Sequence, residues 1–273
     1  MSELISIITV NFNNKIGLQK TIDSVIMQTY TDFEFIIIDG DSNDGSKNVI
    51  ENNKNKFTYC VSEPDKGIYN AMNKGILAAK GNYLLFLNSG DLLNDETTLE
   101  NVAATLCGKF AIYYANANYL EKSGEIIRTY PPKLSYSFFL SQNLSHQATF
   151  IEKRLFYEFF FYNETYKIVS DWEFFIYAIC KENVLYKHLD LILCKYDTTG
   201  ISSVKNNFKL MQQERKKTIK KYFPLFIDDY TAITLLNSKR GKQFITIQNQ
   251  SFVWRILKWV MSLLLIFPPK KKP

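Results

Sequence analysis

Three apolar runs, each ending on a polar cluster, constrain the fold more than any other feature of the chain. Residues 4–10 (LISIITV) lead into NFNN, residues 33–39 (FEFIIID) into GDSNDGS, and residues 83–88 (YLLFLN) into SGD. Short β-branched runs without a polar face suit strands covered on both sides, as in parallel sheets under helices. The intervening segments have helical spacing: residues 15–28, a stretch starting near Ser46, and residues 65–80, with Ile68, Ala71, Met72, Ile76 and Ala79 on one face. Residues 57–63 (FTYCVSE) add a further strand. This β-α-β-α-β-α-β order predicts an α/β fold around a mainly parallel central sheet. Ligands of such sheets bind at the carboxyl ends of the strands. The clusters at residues 11–13, 39–44 and 88–91 all fall there.

The second half is less regular. Residues 110–120, 124–131, 145–151 and 184–196 read as strands, and residues 170–182 as a helix with Ser170 at its N-cap and acidic residues in its first turn. Residues 131–143 (PPKLSYSFFLSQN) mix proline, serine and aromatics without a period and read as a loop.

With 273 residues, 46% of them hydrophobic, the chain can build one large domain plus an appended tail. Four dispersed cysteines without a CxxC pair, and only two histidines, argue against a zinc site or disulfide framework. Reduced thiols of a cytoplasmic protein are expected. The N-terminus has no basic segment and reads as a first strand rather than a signal peptide.

Charge divides the chain. Residues 1–200 carry 18 Lys/Arg and 24 Asp/Glu, a net of −6, whereas residues 201–273 carry 15 and 3, a net of +12. The expected organisation is a catalytic domain at 1–200, a basic helical extension at 201–251 and an amphipathic tail at 252–273. In the tail, Arg255, Lys258 and Ser262 form a narrow polar stripe, and the uncharged run 259–267 falls short of the roughly 20 apolar residues a span needs. An interfacial helix fits, with Lys270, Lys271 and Lys272 on anionic head groups. The competing expectation is a helix docked on the core or on a second copy. No nucleic-acid motif accompanies the basic helix at 207–223.

Two clusters carry chemistry. In NSGD, the strand delivers Asp91 to the sheet edge while Gly90 permits close approach, which suits a hard divalent cation between a carboxylate and a diphosphate. Plain turn chemistry is the alternative. In DGDSNDGS, Asp39 stands where it can accept hydrogen bonds from a base or ribose, or serve only an Asx turn. Neither GxxxxGK[ST] nor GxGxxG is present, which disfavours P-loop and dinucleotide enzymes.

Taken in order, SIITVNFNN, FEFIIIDGDSNDGS, SEPDKGIYNAMNKGI and YLLFLNSGD resemble the inverting family 2 glycosyltransferases with the GT-A fold, over roughly residues 4–200. The likeness is strongest to bacterial members that assemble capsule, O-antigen or exopolysaccharide repeats. It implies that Asn11, Asn13 and Asp39 surround the nucleotide and that Asp65, Lys66 and Ser89 border the same pocket. NSGD stands as the DxD-type motif, with Asp91 binding Mn²⁺ or Mg²⁺. It departs from the family pattern because Asn88 and Gly90 occupy positions that are often acidic, leaving one carboxylate. His146 in SHQATF would contact the metal or diphosphate, with Gln147 orienting it; a structural histidine is the alternative. In SDWEFF, Asp171 is the expected base and Glu173 the second choice, against ordinary helix-start chemistry. Trp172 packs on a sugar ring or in the core.

The implied activity is inverting sugar transfer from a nucleotide donor, expected to be UDP-linked, to a glycan on a polyprenyl diphosphate carrier. The loop 131–145 would order over the donor. The expected location is peripheral, on the cytoplasmic face of the cell membrane, and oligomerisation is compatible with the sequence. Two rivals stand: a catalytically degenerate assembly protein of the same fold, and a sugar nucleotidyltransferase. The latter is disfavoured because NFNNKIGL is a poor match to a basic phosphate loop.

Overall fold

A computed structural model describes residues 5–121, 123–198 and 207–266. The chain forms two compact units, residues 1–218 and 219–273.

The first unit opens with the expected alternation: β1 (Ile5–Asn11), α1 (Lys15–Ile26), β2 (Phe33–Asp39), α2 (Ser46–Asn52), β3 (Tyr59–Ser62), α3 (Ile68–Ala78) and β4 (Tyr83–Phe86). These four strands lie parallel in the order β3-β2-β1-β4, with Asn11 opposite Asp39 and Asp39 opposite Ser62. All of β1 and β4 is buried. Ile5, Ile7, Phe35, Ile37 and Leu85 pack with Leu18, Ile22 and Val25 of α1 into one core. Burial on both faces explains why β1, β2 and β4 are largely apolar runs, whereas β3 at the sheet edge is partly exposed.

The sheet continues through β5 (Leu92–Leu93), α4 (Thr98–Ala103), β6 (Ile112–Glu121), β7 (Gly124–Arg128), α5 (Tyr136–Ser141), β8 (Thr149–Glu152), α6 (Arg154–Glu158), α7 (Ser170–Cys180) and β9 (Tyr186–Asp197). Its order is β3-β2-β1-β4-β8-β6-β9-β5, with β7 on β6. Here the expectation of a mainly parallel sheet fails. β8 runs antiparallel to both β4 and β6, β7 antiparallel to β6, and β5 antiparallel to β9; only β6 and β9 are parallel. The sheet is mixed because short connections such as the β6–β7 hairpin cannot return a strand in parallel.

Two local readings also change. Residues 136–141 form a helix inside the segment read as a loop. Ser135 caps it by accepting the Phe138 N–H, and Phe138, Phe139 and Leu140 are buried. Burial rather than period makes it helical. Ser170 is the first residue of α7, not its N-cap; its Oγ accepts the Asn163 N–H.

The helix α8 (Phe208–Tyr222) buries Glu214, Arg215, Thr218 and Ile219. Glu214 is buried and accepts the backbone N–H groups of Lys167, Ile168 and Val169 at 2.8, 3.1 and 3.3 Å. Arg215 lies 4.8 Å from the centre of the Trp172 ring. In the second unit, α9 (Ile227–Asn237), α10 (Lys239–Gln248) and α11 (Ser251–Leu264) follow, with Phe244 of α10 edge-on to Trp254 of α11.

Candidate functional site

At the ends of β1 and β2 the side chains form a closed network. Asp39 Oδ1 accepts from Asn11 Nδ2 at 2.6 Å and Ser42 Oγ at 2.6 Å; Oδ2 accepts from the Ser42 N–H at 3.0 Å and Ser62 Oγ at 2.6 Å. Four donors fill the acceptor positions of this buried carboxylate. Burial opposes its charge, but the Ser42, Ser62 and Asn11 hydrogen bonds outweigh it and hold the carboxyl below its usual range. Asn11 Oδ1 is buried with no partner among the described residues. Asn13 is exposed, in the left-handed region with φ 50°, and ties the two strand ends together: its N–H donates to Ser42 Oγ and its Oδ1 accepts the Asn43 N–H.

Asp65 stands against the same strand end. A Cβ on Gly40 would lie 2.4 Å from Asp65 Oδ2, so the carboxylate would have to shift to admit one. Asp65 Oδ1 accepts the Gly67 N–H, and Lys66 beside it is exposed.

The Asn88–Asp91 turn is braced by α1. Thr21 Oγ1 meets the Asp91 carbonyl at 2.8 Å and the Gly90 N–H at 2.9 Å, while Asn14, the α1 N-cap, donates to the Ser89 carbonyl at 2.9 Å. Ser89 itself donates from N–H and Oγ to the Val10 carbonyl. Gly90 has φ 107°, and a Cβ there would lie 2.9 Å from Asp197 Oδ2. The Asp197 N–H donates to Asp91 Oδ1 at 3.0 Å. The last strand of the sheet therefore brings a second carboxylate to the turn, beside the single one visible in NSGD. Burial pushes the Asp91 carboxyl up to about 7, against the Asp197 N–H, His146 and Gln147, with the Asp197 charge adding to the rise.

His146 bridges this turn to α7. Its Nδ1 lies 3.2 Å from Asp171 Oδ2 and its Nε2 3.1 Å from Asn88 Nδ2. With Nδ1–H donating to the carboxylate, Nε2 accepts from the Asn88 amide, an assignment fixed by the network. Asp171 Oδ1 accepts from Tyr69 OH at 3.1 Å and Oδ2 from Asn143 Nδ2 at 2.9 Å. Burial works against the Asp171 charge; His146, the Trp172 N–H and Asn143 outweigh it and hold the carboxyl below its usual range. Gln147, buried, accepts from Ser145 Oγ at 3.0 Å. Trp172 belongs to the core, not to a sugar-facing surface: it is fully buried and its Nε1 donates to the Phe139 carbonyl at 2.8 Å. Glu173 is buried in the same helical turn.

Residues 6–168 match the model of glycosyl transferase family 2. The chain belongs to this family. A glycosyltransferase of Mycobacterium tuberculosis is 33% identical over 205 residues, covering 73% of this chain and 77% of that one. The UDP-Glc:alpha-D-GlcNAc-diphosphoundecaprenol beta-1,3-glucosyltransferase of Escherichia coli is 31% identical over 141 residues, covering 50% of this chain and 56% of its own. Among solved structures, the mannosyltransferase of Pyrobaculum calidifontis in complex with GDP-Man and Mn²⁺ shares the fold, with a TM-score of 0.59, 13% identity, and coverage of 97% of this chain and 81% of that one.

A distant fold relative thus binds Mn²⁺. In this family 2 chain, no cluster of three His, Cys, Asp or Glu side chains that could hold a metal occurs among the described residues. The donor set nonetheless suits Mn²⁺ or Mg²⁺: the Asp91 carboxylate accepts the Asp197 N–H, and the Asp197 carboxylate stands over Gly90 of the same turn. Such ions take one or two protein carboxylates and complete their shell with substrate phosphates and water.

Sequence reasoning missed Asp197, Tyr69, Asn143 and Glu214. Asp197 had a signal, since it ends an apolar-rich strand as Asp39 does. The others contact their partners across 102, 28 and 45–47 residues of chain and leave no local pattern.

Proposed function

We propose that this chain is a metal-dependent, inverting glycosyltransferase that moves a sugar from a UDP donor to a glycan on a polyprenyl diphosphate carrier during cell-surface polysaccharide synthesis. The observation that carries the reading is the linked pair of subsites: the Asp91–Asp197 carboxylates on one side of His146 and the anionic Asp171 carboxylate on the other. The E. coli relative, named for a UDP-Glc donor and a diphosphoundecaprenol acceptor, supports the substrate classes.

In this reading the nucleotide lies over Asn11, Asn13, Asp65, Lys66 and Ser89. Asp39 acts through Asn11 and Ser42, fixing the unpartnered Asn11 Oδ1 as an acceptor toward the base. Asp91 and Asp197 hold a divalent cation, with His146 beside them. When bound, the cation neutralises the leaving diphosphate. The acceptor hydroxyl attacks the anomeric carbon from the face opposite the diphosphate. Its proton passes to Asp171, a new C–O bond forms, and the bond to the diphosphate oxygen breaks. Tyr69, Asn143 and His146 orient the Asp171 carboxylate, and Glu214 steadies the start of its helix.

The tail supports a peripheral place on the cytoplasmic face of the membrane. On α11, Phe252 and Trp259 are 69% and 67% exposed, with Ile256 and Leu263 on the same side. No helix among the described residues is long and apolar enough to cross a bilayer. Lys270, Lys271 and Lys272 lie outside the described residues.

The test is incubation with UDP-sugars and a prenyl-diphosphate-linked acceptor, with the product anomer read by NMR. Transfer with inverted configuration is expected. Retained configuration would overturn the mechanism. Pyrophosphate release from a nucleoside triphosphate and a sugar phosphate would instead identify a nucleotidyltransferase.

A further inference from the structure

The strands β6 and β9 run on past the end of β8. β6 last pairs with β8 at Tyr114 opposite Thr149, then continues through residues 115–121, roughly 23 Å of strand. β9 follows one edge of β6 along this length, so β7 takes the edge that β8 uses lower down, with Arg128 opposite Ala117. Arg128 therefore stands just beyond the turn that carries His146.

Its guanidinium is seated on an aromatic wall. The Arg128 Cζ lies 4.5 Å from the Tyr119 ring centre, and Nη1 donates to the Tyr119 hydroxyl at 3.2 Å. Tyr119 in turn packs on Tyr196, with ring centres 4.8 Å apart. The Tyr119 hydroxyl is 3.4 Å from Ser145 Oγ, which donates to Gln147, and Gln147 bonds to Asp91. Yet Arg128 is exposed and forms no ion pair among the described residues. A planar cation fixed on a ring and held by the Tyr119 and Tyr130 hydroxyls, with no carboxylate partner among the described residues, is suited to capture of a phosphate.

The position on the sheet separates Arg128 from the nucleotide network. The nucleotide network occupies β1, β2 and β3, and the Asp91 turn follows β4. Arg128 lies on β7, along the edge of β6 away from β9, whose Asp197 closes the Asp91 turn. On the same face of β7, two residues away, Ile126 is 49% exposed, an apolar contact suited to an anion that carries a lipid chain.

We propose that Arg128, held by Tyr119, is the phosphate-binding residue of the acceptor site and takes the diphosphate of the prenyl carrier. This rests on the transferase reading above. The test is calorimetric titration of farnesyl diphosphate, inorganic pyrophosphate and farnesol into the full chain saturated with UDP and Mn²⁺. Farnesyl diphosphate is expected to bind, with affinity about tenfold or more weaker in Arg128→Met and partly retained in Arg128→Lys. Tyr119→Phe, which removes only the hydroxyl anchor, gives a smaller loss. Unchanged UDP affinity in each variant shows that the fold is intact. Pyrophosphate binding as tightly as farnesyl diphosphate, and lost alike in Arg128→Met, supports the site and assigns recognition to the phosphates alone. Farnesol binding as tightly as farnesyl diphosphate, or wild-type affinity in Arg128→Met, overturns the proposal. A wild-type chain that binds no UDP fails the transferase reading itself, a separate outcome.

Discussion

The two halves of the sheet build the site in opposite ways. Among the parallel strands, β1, β2 and β4 are largely apolar runs that each deliver a polar cluster to the carboxyl edge, so Asn11, Asp39 and Asp91 stand where their local sequence puts them. From β5 to β9 the strands run in both directions, and the site is assembled from residues far apart: His146 on a turn, Asp171 on a helix, Asp197 at the end of the last strand. In the proposed reading, the first half shapes a nucleotide pocket by local rule and the second half brings the chemistry by tertiary packing. The contrast teaches that a pocket can be read from strand punctuation, whereas a reacting centre that needs opposed groups has to draw on distant segments.

The largest expected effect separates the halves outright. Asp171→Asn should lower turnover by roughly 10²–10⁴-fold while leaving UDP affinity unchanged, because a general base acts in the transition state and not on nucleotide binding. Steady-state kinetics beside UDP titration reads both. A parallel loss of UDP affinity would mean that the two halves do not work independently.

Next come the residues where the halves meet. Asp197→Asn should weaken Mn²⁺ binding about tenfold or more, read by the electron paramagnetic resonance of free Mn²⁺. Gly90→Ala should destabilise the fold by about 1–3 kcal/mol, since φ 107° is strained for alanine and its Cβ would press on Asp197 Oδ2. Denaturant unfolding measures this. Wild-type stability in Gly90→Ala would mean that Asp197 does not sit over the turn.

The smallest effect is on the pH dependence of stability. Burial raises the Asp91 carboxyl from 3.8 to about 7, so the folded protein keeps a proton that the unfolded chain has already lost. Stability of the metal-free protein should therefore fall as pH rises across that window. Asp91→Asn should remove this slope. Asp39 and Asp171, both held low, act in the opposite sense and only under acid conditions, where protonation removes their stabilisation. Thermal melts across pH separate the two.

Legibility followed the same division. Residues 33–39 were readable as a strand to the residue, because a strand covered on both faces is mostly apolar and its end has to turn. The direction of β8 was not readable: TFIE pairs antiparallel with β4 and β6 only because its connections place it so. The helix at 136–141 escaped because its three buried residues are consecutive rather than periodic. NSGD looked one carboxylate short, since the second arrives 106 residues later through Asp197.

The central claim is that Asp91 and Asp197 make donor binding depend on a divalent cation. Calorimetric titration of UDP into the purified chain, with and without Mn²⁺, tests it most directly. The account predicts UDP affinity about tenfold or more higher with Mn²⁺, a gain absent in Asp91→Ala. UDP affinity that is the same with and without Mn²⁺, or undetectable in both, would contradict it.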